Sequence, residues 1–419
     1  MKKPEILAPA GDFSRLIYAI EYGADAVYVG GEEFSLRAAA GNFTRAELKR
    51  AVEYVHGKQK KIYVACNVVP RNDEIDRLPE YAAFLQEAGV DAVIISDLGS
   101  FAVFRRYAPK VAIHISTQAN VSNYETCMAW YHLGAKRIVL ARELSLEEIL
   151  QIRRRCPEEL ELEAFVHGAM CMAYSGRCLL SQFLTGRDSN RGNCAQPCRW
   201  KYTLMEEKRP GQYFPVVEGE KETLFMNSKD LSMIEHLPEL CEAGIASFKI
   251  EGRIKTEYYV AVITQAYRRA LDDCFSDVIA YGNNLPSYVE QVDMVSHRPY
   301  YTGFYFPDDG TVGQSYHEPS YIRNYELVGL ITGYDALNRR ILVTEKNKIN
   351  AGDELIIVEP GQPLRKFSAV RMFDETGAQI LFAPHPEMKL TIEYDKYVSS
   401  HSFLVRKNKF NDIFGGNVL

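Results

Sequence analysis

Four cysteines, Cys171, Cys178, Cys194 and Cys198, fall within twenty-eight residues of this chain, in the stretch HGAMCMAYSGRCLLSQFLTGRDSNRGNCAQPC (residues 167–198). Thiolates are soft ligands that suit zinc or iron-sulfur centres, so a cluster of this kind reads first as a metal site. Six residues separate Cys171 from Cys178, and fifteen more lead to Cys194. Only Cys194 and Cys198 have the close spacing of a zinc knuckle. The open, irregular set fits a 4Fe-4S cluster better than zinc, which stays as the alternative metal. The plainer explanation is four core thiols, because free cysteine packs as a small apolar side chain.

The elements around the cluster give the residues that could work with it. Apolar runs at 6–9, 26–30, 62–67, 92–96, 112–117, 137–141, 162–167 and 247–251 alternate with amphipathic stretches of helical period. Parallel strands need crossover helices and bury both faces, so eight such units predict an α/β fold, a (β/α)8 TIM-type barrel over residues 1–280. The echoes EYGADAVYVG, EAGVDAVIIS, HLGAKRIVLA and EAGIASFKIE repeat the unit, with Gly23, Gly89, Gly134 and Gly244 as helix stops. The pattern breaks after the seventh strand, where a cysteine-rich insertion (169–225) leaves from the strand's C-terminal end.

Chemistry in such barrels gathers at the C-terminal ends of the strands. Those ends offer Asn67, Gln118, Arg142, Glu143, His167, Glu251 and Arg253. His167, Glu143 and Glu251 are the candidates for proton transfer or ligand orientation. Arg142 and Arg253 could fork around carboxylates, with Asn67 and Gln118 as further substrate contacts. Ordinary ion pairs and helix caps compete with each of these roles; Asp12 and Asp97 in particular look like N-caps. Beside the cluster, Arg199 and Trp200 alternate base and aromatic, as a nucleic-acid contact would.

A connector (281–324) follows the barrel. From 325 to 405 short alternating runs with turn signals predict a small antiparallel β-barrel, and 406–419 reads as a tail. The 419 residues carry a net charge of −6, which argues against a non-specific nucleic-acid binder while leaving room for a local basic patch. No run is long and apolar enough to span a bilayer and no signal peptide opens the chain, so a cytoplasmic protein without membrane partners is expected. Nine cysteines in that reducing compartment are not a disulfide framework. HExxH, GxSxG, GxxxxGK and GxGxxG are absent, and with them the usual machinery of zinc or serine proteolysis and nucleotide hydrolysis.

The stretches EAFVHGAMCMAYSGRCLLS (163–181), RGNCAQPCRW (191–200), NSKDL (227–231), FKIEGR (248–253) and SHRPYYTGFY (296–305) resemble the collagenase-like peptidase family of unassigned mechanism. The resemblance runs through essentially the whole chain. Within the family it is most similar to the branch that hydroxylates the tRNA wobble uridine to 5-hydroxyuridine; sister branches act on an rRNA cytidine or on the ubiquinone ring. The resemblance implies a 4Fe-4S cluster, oxygen insertion without molecular oxygen, prephenate or a similar small carboxylate as donor, and a tRNA anticodon loop as partner. It also admits a homologous partner subunit. Some relatives carry a cysteine just after NSKDL where this chain has Ser232; the resemblance then implies that Cys198 is the fourth ligand here or that the cluster keeps an open iron. Peptidase activity is the alternative, in keeping with the older family label.

Overall fold

The computed structural model describes residues 2–35, 41–171, 173–174, 176–189, 193–200, 203–205, 213–215, 228–306 and 321–408. Eight parallel strands close a barrel: β1 (Glu5–Pro9), β2 (Ala26–Gly30), β3 (Lys61–Ala65), β4 (Ala92–Ile95), β5 (Ala112–Ile115), β6 (Arg137–Val139), β7 (Glu161–Ala169) and β8 (Ser247–Ile250). Each pairs with the next, and β8 closes the ring by pairing with β1 (Leu7 with Lys249) and with β7 (Glu163 with Ser247). Helices on the outside include α1 (Phe13–Glu21), α2 (Arg45–Gly57), α3 (Leu78–Ala88), α4 (Leu98–Tyr107), α5 (Tyr124–Leu133), α6 (Leu146–Arg155), α7 (Leu237–Glu242) and α8 (Glu257–Ser276).

Local chemistry sets these boundaries. Asp12 and Asp97 are N-caps, accepting from the amides of Arg15 and Ser100, and Thr44 with Glu47 and Ser145 with Glu148 form reciprocal capping boxes. The four expected helix-stop glycines all have positive φ, from 70° to 108°. The strands depart from expectation inside the barrel. Leu7, Ala26, Tyr28, Tyr63, Ala92 and Ile94 make a small apolar inner cluster, but the strands opposite place His114, Arg137, Glu163 and Lys249 in the interior, each under 5% exposed. The three charged ones are tolerated because they are paired: Glu163 bonds Lys249 at 2.7 Å and Arg137 at 3.0 Å, and Arg137 also reaches Glu5 and Glu161. His114 is tolerated as a neutral ring, burial and the neighbouring cations holding its pKa well below the usual value.

β7 is the longest barrel strand and its end serves another purpose. β6 accompanies it only as far as Glu163; beyond that, the short strand Asp230–Ser232 runs antiparallel to Gly168 and its neighbours, and Tyr300–Tyr301 adds to its far side. The insertion is thus pinned at both feet. Asp230 is gripped by Arg298 through the backbone amide, Nε and Nη2, at 2.7–3.1 Å, which ties the returning foot to the segment after the barrel.

The connector is more regular than its sequence suggests, since residues 278–293 form a helix (Val278–Asp293) despite Pro286 within it. Burial of Tyr281 and Tyr288 against the barrel holds that helix. The C-terminal unit is an eight-stranded antiparallel half-barrel with its own core, in which Tyr325–Asp335 lies between Ser402–Lys407 and Arg340–Glu345. Its last strand extends to Lys407, past the expected limit at 405, because Arg406 is anchored by Glu326 and Asp353. Phe403 stacks on Tyr18 of α1 at 5.0 Å, and the Tyr22 hydroxyl donates to the carbonyls of Val358 and His401, so this unit docks directly on the barrel. Among the described residues no helix is long and apolar enough to cross a membrane.

Candidate active site at the barrel mouth

A cavity of about 460 Å³ opens at the C-terminal ends of the strands. Tyr28, Ile94, Phe165 and Lys249 contribute to its floor and lower wall, Asn67, Gln118, Arg142, Glu251 and Arg253 come from the strand ends, and the insertion closes over it. All four clustered cysteines line this one space. Cys171 is exposed and Cys178, Cys194 and Cys198 are half-buried, whereas the other five cysteines are buried in the helical layer or core. The plainer expectation of four core thiols therefore does not describe their placement.

The insertion reaches the cavity through short-range chemistry. Its first arm crosses the β5–α5 loop at Gly176, whose φ is +72° and where a Cβ would come within 2.5 Å of the Gln118 carbonyl oxygen. Only glycine allows that crossing without displacement. Beyond Cys178, the helix Leu180–Thr185 buries Ser181, whose Oγ accepts from the amide of Ala195 at 3.0 Å. That bond joins the arm carrying Cys178 to the arm carrying Cys194. The amide of Gln196 donates to Cys194 Sγ at 3.3 Å.

The two arginines reach the cavity by different supports. Arg142 stacks over Phe165 (5.4 Å) and donates from Nη1 to the Ala169 carbonyl at 3.2 Å, while its buried Nε meets no acceptor among the described residues. Arg253, 4% exposed, donates from Nη1 to Ser35 Oγ at 2.8 Å and passes over Gly30, where a Cβ would lie 2.2 Å from that nitrogen. Glu251 accepts from Tyr28 at 3.1 Å. Tyr28 and Lys249 were not among the sequence candidates. The available signal was a hydroxyl and a cation at inward positions of otherwise apolar strands.

Three candidates stand elsewhere. His167 is 1% exposed and faces the helical layer, with Tyr267 at 3.3 Å from Nδ1 and Tyr300 at 3.4 Å from Nε2. Burial lowers its pKa to about 3, so the ring is neutral at ordinary pH. Glu143 is half-buried close to Tyr301 and does not line the cavity. Trp200 is half-exposed and also outside the lining, while the side chain of Arg199 lies outside the described residues. Ser232 pairs with His167 in the ladder beside β7 and does not line the cavity.

Among the described residues no three His, Cys, Asp or Glu side chains converge as one metal ion would require. A tetrahedral zinc needs its sulfurs roughly 3.8 Å apart, from metal–sulfur distances near 2.3 Å. The four thiols line one cavity, and a 4Fe-4S cluster would take one ligand at each of its corners.

Comparison with known proteins finds relatives over most of the chain. It is 38% identical over 409 residues to tRNA hydroxylation protein P1 of Bacillus subtilis, covering 97% of this chain and 96% of that one. It is 37% identical over 425 residues to tRNA hydroxylation protein P of Escherichia coli, covering 92% of each. An uncharacterised protease of Methanocaldococcus jannaschii is 45% identical over 307 residues, 73% of each chain. The model of peptidase family U32 matches residues 11–314, and that of the family's C-terminal domain matches 323–406. The chain with this cysteine-lined barrel mouth is a member of peptidase family U32.

Proposed function

We propose that this protein is a tRNA-modifying hydroxylase whose reaction centre is the cysteine-lined cavity. The observation that carries the proposal is the placement of Cys171, Cys178, Cys194 and Cys198 around one space at the barrel mouth, beside Arg142 and Arg253. The names of the full-length relatives from B. subtilis and E. coli support tRNA as the substrate. In this reading the four thiolates hold a 4Fe-4S cluster, which supplies redox or Lewis-acid chemistry next to the bound donor.

The chain's own residues then have separable tasks. Arg142 and Arg253 bind the carboxylates of a small donor, for which prephenate, a dicarboxylate, is the candidate from the family resemblance. Glu251, held by the Tyr28 hydroxyl, stands where it can accept a proton from the hydroxylated base. Asn67 and Gln118 are positioned to contact the edge of an unstacked uridine, the form in which loop bases are recognised. His167, enclosed by tyrosines, holds β7 against the helices and has no part in the chemistry. No histidine is among the described residues lining the cavity, so none of these thiols has the histidine base of a cysteine–histidine peptidase there.

The test is anaerobic purification with iron and sulfide counts, together with nucleoside analysis of tRNA from a deletion strain. Wild type should carry iron and sulfide in equal amounts and restore 5-hydroxyuridine, and Cys171→Ala should do neither. Cys171→Ala protein with undiminished iron, or restored modification, overturns the proposal.

A further inference from the structure

The loop leaving β8 has one face in each of two cavities. Glu251 and Arg253 line the cysteine cavity, while Ile254, Lys255, Thr256 and Glu257 line a second cleft of about 680 Å³ between the barrel and the C-terminal half-barrel. The loop is a fixed partition: the Lys255 carbonyl accepts from Arg15 Nε at 2.5 Å, and the Glu251 carbonyl accepts from the Tyr259 hydroxyl at 3.2 Å. The cleft's size lies within the roughly 300–1,000 Å³ typical of sites for small organic ligands.

Its lining is largely apolar, with Ile254, Met294, Val295, Leu327 and Leu330, and carries aromatic rings and cations as well. Tyr321, 38% exposed, and the partly buried Tyr18 supply ring surface, backed by the buried rings of Tyr258, Tyr325 and Phe403. Lys255, Arg323 and Lys346 line it, and Glu257 is the one acid among the described lining residues. Lys346 is held by Glu387. Lys255 is not used in an ion pair among the described contacts: its Nζ lies 5.0 Å from the Tyr259 ring and 5.2 Å from the Tyr321 ring. The N-terminus of α8, twenty residues long, opens beside it at Thr256 and adds partial positive charge. Rings beside cations are what a single-stranded nucleic acid needs, since bases stack on the former and phosphates are neutralised by the latter.

We infer that this interdomain cleft holds an unpaired stretch of the RNA substrate, a few nucleotides from the base that enters the cysteine cavity. The inference rests on the hydroxylase reading above, and the shared loop gives it geometry: a polynucleotide passing over residues 251–257 meets the reaction cavity on one side and the cleft on the other. The C-terminal half-barrel thereby acts as the second jaw of the RNA site.

Binding of an unmodified tRNA transcript, followed by fluorescence anisotropy across a salt series, tests this. Lys255→Gln/Arg323→Gln should bind about tenfold more weakly at low salt, with the slope of log K against log salt reduced by about 1.4 for two lost phosphate contacts. Its KM for tRNA should rise while kcat stays within about twofold. Arg323→Gln alone alters only an exposed side chain and should show half the slope change, which guards against a folding defect in the double variant. Wild-type binding with an unchanged slope in both variants overturns the cleft assignment and leaves the hydroxylase reading standing. Wild-type protein that neither binds nor modifies tRNA overturns both.

Discussion

Replacing Glu163 with glutamine should expose how the barrel interior is held together. Glu163 is fully buried and is the acid bonded to Lys249, whose side chain is 6% exposed; Arg137 keeps Glu5 and Glu161 when Glu163 is neutralised. The damage therefore falls on Lys249. Breaking one member of a buried pair costs about 3–5 kcal/mol. An upper limit follows from the alternative open to the lysine, which is to lose its proton: bringing a group of pKa about 10.4 to neutrality at pH 7 costs roughly 1.36 × 3.4, or about 4.6 kcal/mol. At pH 9 the same step costs about 1.9 kcal/mol. Removing the lysine's proton costs less as pH rises, so the penalty expected in the variant is greatest at low pH and shrinks with rising pH. In the wild type, burial alone would raise the Glu163 pKa, but Lys249 and Arg137 hold it below the usual carboxylate value. Its own contribution is present above the ordinary carboxylate range and lost as pH falls through the lowered folded value.

Urea unfolding followed by tryptophan fluorescence suits the measurement. Both tryptophans, Trp130 and Trp200, lie outside the C-terminal half-barrel, and Trp130 is buried on α5. Glu163→Gln should lose about 3–4.6 kcal/mol at pH 7 and clearly less at pH 9, and adding Lys249→Met should return at least half of the loss. A loss under about 1 kcal/mol, or one that is the same at both pH values, refutes the assignment of Lys249 as a charge dependent on Glu163.

Gly176→Ala should misplace the first arm of the insertion, because the new Cβ would meet the Gln118 carbonyl at 2.5 Å in a backbone of positive φ. Overpacking of this kind costs about 1–3 kcal/mol, and limited proteolysis should show faster cleavage in the insertion with the barrel transition unchanged. His167→Phe should flatten the acid limb of stability. With a folded pKa of about 3, the native state refuses a proton that the unfolded chain accepts below about 6.5, so stability falls with pH through that window in the wild type. Denaturation midpoints at pH 4 and pH 7 should differ less in the variant, and an unchanged difference would contradict the burial argument.

Much of this architecture was legible in the chain. The alternation of apolar runs with helical periods forced parallel strands with crossovers, and the glycine echoes marked where each helix stops, because both are local consequences of side-chain size and backbone freedom. Asn67, Gln118, Arg142, Glu251 and Arg253 could be named as mouth residues for the same reason, since a strand end is defined by its own neighbours. His167 and Glu143 met the same rule and still fell outside the cavity. β7 runs on past the rim to pair with Asp230–Ser232, which fixes His167 on the tyrosine side, and no local pattern announces a partner sixty residues away.

The sequence alone determined the barrel, its second domain and the cysteine spacing, because periodicity and ligand chemistry are properties of short segments. Only the tertiary structure decided that the four thiols share one space with two arginines, and that Glu163, Arg137 and Lys249 pair inside the barrel. Those outcomes depend on distances between residues far apart in the chain, and a buried charge is affordable only when folding brings its counterion within bonding reach.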